Sequence, residues 1–255
     1  MTPSYYIPLR QVGGHKRGTN YMKHFLLILL LLATSAFARE SVLVYDIKHN
    51  QVVAHQDESK QRPIASITKL MTAIVAIELG IDERYLIDTM LVQSNNKSAE
   101  KLAAIYGRSQ FIHLMNFKAK QLGMNDTKFV DPSGLGMNTS TAIDLAVLIS
   151  HATKYSEIRA AASPTVQVIE PKGKRAHLAL IQNTNYTLLK EFTHITGSKT
   201  GFTNAAGWCI AMTTNEHIIV ILGSPSKASR NAFARRILIE LKETPSPTIV
   251  ASARP

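Results

Sequence analysis

Ser66 and Lys69 stand three residues apart at the head of an apolar run, Ile67-Thr68-Lys69-Leu70-Met71-Thr72-Ala73-Ile74-Val75-Ala76. On a helix that spacing places both side chains on one face, one turn apart. A lysine with its ordinary pKa of about 10.4 is a poor base at neutral pH, but burial disfavours the charged form and lowers that value. A helix N-terminus adds positive potential in the same direction and offers N–H groups to an oxyanion. A neutral Lys69 could therefore take the proton of Ser66 and make it a nucleophile for acyl transfer without a histidine.

Ser-x-x-Lys alone is weak evidence, because it recurs at Ser94/Lys97, Ser98/Lys101 and Ser224/Lys227. Two further motifs strengthen it: Ser94-Asn95-Asn96, at the start of an expected helix, and Lys199-Thr200-Gly201, which occurs once in the chain. Their order along the chain, Ser-x-x-Lys, Ser-x-Asn, Lys-Thr-Gly, is the arrangement of serine acyltransferases that react with penicillin.

The elements that must position these residues follow from pattern. Ser41–Asp46 and Gln51–His55 are β-branched runs joined by a short polar segment and predict a hairpin. Residues 66–79 read as a helix closed by Gly80, and Asp82–Val92 as a helix leading into Ser94. Further helices are expected near 96–106, 109–122 and 141–154; Asp144 in Ser140-Thr141-Ala142-Ile143-Asp144 reads as a helix cap, not a catalytic acid. Asp131-Pro132-Ser133-Gly134-Leu135-Gly136 is a loop by its turn residues. Beyond Pro164 the segments 165–169, 207–212 and 217–222 read as strands, with a final helix over 227–242. The expected fold is α/β (α+β): an antiparallel sheet from both chain ends, flanked by the first and last helices. An all-helical lobe over about 81–160 is inserted, with the site between.

The N-terminal region contains no acid before residue 39, and Met22-Lys23-His24 leads into Phe25–Ala33 and then small residues up to Ala38. This reads as a secretory signal peptide cleaved after Ala38, with residues 1–21 as an upstream extension of a mis-called start. The expected domain is 39–242, and the Pro-containing tail 243–255 is expected to be disordered and to carry no membrane anchor. Basic residues number 29 against 18 acidic, an excess that survives removal of Arg10, Lys16, Arg17 and Lys23 and suits an anionic polymer or membrane surface. No nucleic-acid signature is present. The single cysteine, Cys209, excludes an internal disulfide and reads as a packed thiol. Nine histidines include no metal-ligand spacing, so neither metal nor other cofactor is expected, and His113, His151 and His177 read as surface or interface residues. Thr196, Ser198 and His194 flank the Lys-Thr-Gly strand.

The segments 65–72, Leu122-Gly123-Met124-Asn125-Asp126-Thr127, 131–135, 140–145 and Lys199–Gly207 together resemble the low-molecular-mass penicillin-binding proteins. These are the serine D-alanyl-D-alanine carboxypeptidases and endopeptidases of peptidase family S11. Asn183-Thr184-Asn185 and Lys199-Thr200-Gly201-Phe202-Thr203-Asn204-Ala205-Ala206-Gly207 look closest to the endopeptidase branch, the penicillin-binding protein 7 type. The resemblance implies a β-lactamase/transpeptidase-like fold and a periplasmic enzyme acting on peptidoglycan peptides, with β-lactams as covalent inhibitors. It makes Ser66 the nucleophile, Lys69 its base, and Ser94 and Asn96 the proton relay and amide contact. Lys199 and Thr200 would hold a substrate carboxylate, and the N–H groups of Ser66 and Phe202, beside Gly201, would form the oxyanion hole. No Glu-x-x-Leu-Asn sequence supplies the second base of a β-lactamase. The alternatives are a carboxypeptidase and, from another class, a non-catalytic wall-binding or β-lactam-sensing protein.

Overall fold

The computed structural model describes residues 40–170 and 178–241. The proposed signal peptide and its cleavage point, His177 and the tail after Leu241 lie outside them. Five antiparallel strands form the main sheet: β1 (Ser41–Asp46), β2 (Gln51–Gln56), β7 (Ile195–Thr203), β8 (Gly207–Thr214) and β9 (His217–Ser224), in the order β2-β1-β9-β8-β7. The two chain ends meet where β1 pairs with β9, with Ser41 opposite Leu222 and Asp46 opposite His217. Short strands β3 (Arg62–Pro63) and β4 (Thr139–Ser140) pair with each other, as do β5 (Val166–Ile169) and β6 (Ala179–Gln182).

Because helices cover both faces, the inner strands are apolar on both sides. Leu43, Tyr45, Cys209, Ala211, Val220 and Leu222 face the larger core, whereas Val42, Val44, Ile210, Met212, Ile219 and Ile221 face the smaller one. This strict alternation follows from the two-residue side-chain period of a strand.

The remaining elements are α1 (Lys69–Glu78), α2 (Arg84–Val92), α3 (Asn96–Tyr106), α4 (Arg108–Gln121), α5 (Ala142–Ala152), α6 (Ser156–Ala162), α7 (Tyr186–Glu191) and α8 (Lys227–Glu240). On the larger-core side, the helix laid most directly across the strands is α5, which contacts β1, β8 and β9. The expectation that the first helix would take that place is corrected: α1 lies beneath α5 and is packed among α2, α3 and α4. The last helix, α8, covers β8 and β9 from the other side as expected.

A second correction concerns the helix start. Residues Ala65–Thr68 form a tight 3-10 turn, and the α-helix begins only at Lys69. Ala65 opens this turn in the left-handed region, at φ 47°, and the Thr68 hydroxyl donates to the Ala65 carbonyl at 2.8 Å. Third, the cap of α5 is Thr141, which accepts from the Asp144 N–H at 3.1 Å. Asp144 is instead a clamp on the preceding turn, accepting from the Asp126 N–H at 2.9 Å and the Thr127 hydroxyl at 2.7 Å.

Two glycines let separate segments close on the 3-10 turn. A Cβ at Gly134 would collide with the Ala65 carbonyl and lie 2.9 Å from the Ser66 nitrogen, and Gly134 also sits at φ +85°. A Cβ at Gly201 would lie 2.9 Å from the same nitrogen and 3.1 Å from the Ile64 carbonyl oxygen. Gly123 also has a positive φ, +76°, but faces open space. Gly123→Ala should therefore cost only the backbone strain of about 1 kcal/mol. Gly134→Ala adds a backbone collision and should cost about 3 kcal/mol, roughly 6 °C or more in thermal midpoint. Thermal unfolding of the two variants beside wild type checks this; equal losses would contradict it.

Candidate active site

Lys69 is fully buried, and its ammonium nitrogen lies 2.8 Å from Ser66 Oγ and 2.7 Å from Asn96 Oδ1. Its third partner is the backbone carbonyl of Ser133. Three elements thus converge on one nitrogen: the 3-10 turn with α1, the start of α3, and the 131–138 loop. Among the described residues no carboxylate pairs with this ammonium. Burial pushes its pKa down to about 7, against an opposing pull from Asp131 and Glu100.

The loop that supplies the Ser133 carbonyl is pinned from within. One oxygen of Asp131 accepts from the Ser133 N–H at 2.7 Å, the Ser133 hydroxyl at 2.7 Å and the Gly134 N–H at 2.6 Å. The other accepts from the Gly136 N–H at 2.7 Å. These bonds hold the Asp131 carboxyl below the usual range despite burial. Asn138, fully buried, accepts from the Val130 and Asp131 N–H groups and donates to Thr68 Oγ1 at 2.9 Å, which ties the loop to the nucleophile turn.

A second cluster lies along β7. The Lys199 ammonium donates to Ser94 Oγ at 3.0 Å and to the Thr200 carbonyl at 2.9 Å. Ser94 is held in the left-handed region, at φ 61°, between α2 and α3, and Asn95 caps α3 by accepting from the Ser98 N–H. Thr200 Oγ1 donates to Thr184 Oγ1 at 2.8 Å. Burial, followed by the nearby Lys69 and Arg230 charges, drives the Lys199 pKa well below its ordinary value. Arg230, on α8, is 1 % exposed and likewise has no carboxylate partner among the described residues. It donates to Asn231 Oδ1 at 2.7 Å and to the Cys209 carbonyl at 3.4 Å, and burial lowers its pKa to about 10. Three buried basic groups without an acid to pair them form a site suited to a carboxylate.

All the residues expected from sequence are therefore gathered into two adjoining hydrogen-bonded clusters: Ser66, Lys69 and Asn96 in one, Ser94, Lys199 and Thr200 in the other. Gly201 backs onto the Ser66 turn, and Phe202 lies half-exposed, stacked on Trp208 at 4.3 Å, while the Arg230 guanidinium lies over the Trp208 ring at 6.0 Å from its centroid. In the other Ser-x-x-Lys matches the lysine, Lys97, Lys101 or Lys227, is exposed, while Ser98 bonds Thr89, Ser224 bonds Glu40 and Ser94 bonds Lys199 instead. Thr196 bonds Thr213, Ser198 bonds the Ala162 carbonyl, and Cys209 is a buried thiol raised to about 11. His113 is exposed and His151 packs on Tyr155. Sequence reasoning missed the Ser133 carbonyl, Asp131 and Asn138 as supports of Lys69, and Thr184 and Arg230 as neighbours of Lys199 and Thr200. The Asp-Pro-Ser-Gly and Asn-Thr-Asn segments were visible signals for the loop and Thr184. Nothing in the sequence distinguishes Arg230 from Arg235 or Arg236 on the same helix.

This architecture and site define a serine acyl-enzyme protein of the penicillin-reactive class. The chain matches the sequence profile of peptidase S11, D-alanyl-D-alanine carboxypeptidase, over residues 32–84 and 79–225, and belongs to that family of serine D-alanyl-D-alanine peptidases. It is 34 % identical over 236 residues to a D-alanyl-D-alanine endopeptidase of Escherichia coli, covering 78 % of this chain and 76 % of that one. A D-alanyl-D-alanine endopeptidase of Haemophilus influenzae is 30 % identical over 248 residues, 82 % of this chain and 84 % of the relative. Penicillin-binding protein D2 of Listeria monocytogenes, solved with cefotaxime bound, superimposes with a TM-score of 0.69 at 26 % identity, over 78 % of this chain and 95 % of that one. A variant of a Streptomyces DD-transpeptidase shares the fold with a TM-score of 0.73 at 22 % identity, over 78 % and 96 % of the two chains.

If neutral Lys69 is the base that activates Ser66, acylation should be lost as pH falls through about 7, where the amine takes up a proton. Asp131 favours the charged form of Lys69, so Asp131→Asn should move that midpoint to lower pH. Stopped-flow acylation by a chromogenic cephalosporin across pH 5–9 checks both statements; a midpoint that stays in place in the variant would contradict the second.

Proposed function

We propose that the protein is a D-alanyl-D-alanine endopeptidase that hydrolyses peptide cross-links of peptidoglycan in the periplasm through an acyl-enzyme on Ser66. The observation that carries the chemistry is the buried Lys69 amine 2.8 Å from Ser66 Oγ. In the proposed reaction Ser66 Oγ attacks the D-alanyl carbonyl while Lys69 takes its proton. The N–H groups of Ser66 and Phe202 receive the oxyanion, a contribution worth roughly a hundredfold to a thousandfold in rate in other enzymes. The proton passes by Ser94 to the leaving amine as the C–N bond breaks, and Asn96 contacts the substrate amide. Thr200, Lys199 and Arg230 hold the carboxylate on the leaving side. Water then attacks the ester, restoring the Ser66 hydroxyl and releasing the new carboxyl group.

The endopeptidase assignment draws on the relatives of that name at 30–34 % identity over most of the chain. The second reading is a carboxypeptidase, favoured by matches such as the Bacillus subtilis carboxypeptidase at 26 % identity. A non-catalytic role fits poorly with the energetic cost of burying Lys69 next to a serine. β-Lactams would acylate Ser66 as well.

Mass spectrometry of residues 39–255 after incubation with benzylpenicillin should show one covalent adduct that is absent from Ser66→Ala. Incubation with cross-linked and uncross-linked muropeptides should then remove the dimers and leave terminal D-alanine largely in place. Loss of terminal D-alanine with intact dimers would instead establish the carboxypeptidase.

A further inference from the structure

Ser94 sits in the left-handed region, at φ 61°, just beyond the end of α2, a place where helices ordinarily turn on glycine. A residue with a side chain keeps that conformation only where its surroundings fix it. Here one residue supplies much of that constraint. The Thr89 carbonyl accepts from the N–H groups on both sides of Ser94, those of Gln93 and Asn95, each at 3.2 Å. The Thr89 hydroxyl also reaches across to α3 and lies 2.8 Å from Ser98 Oγ, and the two residues are only 2 % and 4 % exposed.

The direction of that bond follows from the hydrogens available. Thr89 Oγ1 gives its one proton to the backbone, with the Tyr85 carbonyl at 2.8 Å and the Leu86 carbonyl at 3.2 Å. Ser98 is therefore the donor and Thr89 the acceptor. The Ser98 N–H donates in turn to Asn95 Oδ1 at 3.2 Å. Gln93, Asn95 and Ser98 are thus all bonded to Thr89, and between them lie the two residues that meet the buried lysines. Ser94 Oγ accepts from Lys199 at 3.0 Å, and Asn96 Oδ1 accepts from Lys69 at 2.7 Å. We propose that the Thr89–Ser98 hydroxyl pair is a positioning element of the site, locking the first turn of α3 onto α2 so that Ser94 and Asn96 stand where they meet Lys199 and Lys69. This rests on the roles given to Ser94 and Asn96 in the proposed function, but not on which D-alanyl bond is cut.

Ser98→Ala breaks the pair at its donor and leaves no buried donor unpaired, because the Thr89 proton still goes to the backbone. Thr89→Val breaks it at the acceptor with the shape kept, and Thr89→Ser retains it. Stopped-flow acylation by a chromogenic cephalosporin should be about tenfold slower in both breaking variants, the scale of a sub-ångström displacement of a reacting group. The dissociation constant of the initial complex should stay unchanged, and the double variant should be no slower than the slower single one. Heteronuclear NMR of labelled lysine adds a readout that needs no acylation. As an acceptor, Asn96 Oδ1 favours the charged form of Lys69, so its displacement in Ser98→Ala should move the Lys69 titration to lower pH, whereas lost stability alone would leave it in place. None of these substitutions alters Asp131, Glu100 or Lys199, the charged groups that act on Lys69. Thr89→Ser should match wild type in both measurements. An unchanged rate or an unmoved titration in Ser98→Ala, or a Thr89→Ser variant as slow as Thr89→Val, would overturn the proposal. A wild type that is never acylated, with a Lys69 titration that still moves in Ser98→Ala, would sink the acyl-enzyme reading and leave the positioning pair standing.

Discussion

The structure is organised around an amine that has been taken out of water without a counter-charge. Moving the Lys69 pKa from 10.5 to about 7 corresponds to roughly 5 kcal/mol against the charged form. The unfolded chain binds this proton more tightly than the folded one, so between those values folding stability rises with pH. At neutral pH the protein gives up stability to keep a base available, and the buried Lys199 adds a cost of the same sign. The well-packed surroundings are what make such a loss tolerable. Met71, Ala73 and Ile74 are completely buried on α1, and the strands behind them are apolar on both faces.

Other features are consequences of holding that nitrogen. It needs acceptors, and these come from three separate places: a side chain on the 3-10 turn, an amide at the start of α3 and a carbonyl in the 131–138 loop. Bringing the loop and β7 close enough to the turn requires glycine at 134 and 201, where any side chain would meet the Ala65–Ser66 backbone. Keeping the loop carbonyl aimed inward requires the Asp131 carboxylate to absorb N–H groups that would otherwise be orphaned. β7 is an edge strand of the sheet that packs on the 3-10 turn, and Phe202 near its end stays half-exposed with Trp208 stacked on it.

Much of this was legible in the sequence, and the divide is physical. The strands β1, β2 and β9 announce themselves by β-branched runs and β8 by a short apolar one, and α3 and α4 lie within one residue of the expected ranges. The three catalytic motifs could be read because each consists of side chains at fixed local spacing. The 3-10 turn at 65–68 escaped notice because its composition is that of a helix and its geometry is set by Ala65 in the left-handed region. Strand β6 and helix α7 are short and depend on partners distant in the chain. The Ser133 carbonyl could not be foreseen, since a backbone acceptor has no residue signature. Arg230 reaches the site only through the register that sets Cys209 opposite Gly201, a tertiary fact.

The central claim is that Lys69, and not merely the enzyme as a whole, titrates near neutrality. The most direct measurement is heteronuclear NMR of protein labelled at lysine Cε and Nζ, with the Lys69 signal assigned by its loss in Lys69→Arg. The account predicts an inflection at about 7 for that signal. An inflection above 10, with the protein folded and Ser66 reactive, would mean that Lys69 stays charged and that the proton of Ser66 goes elsewhere.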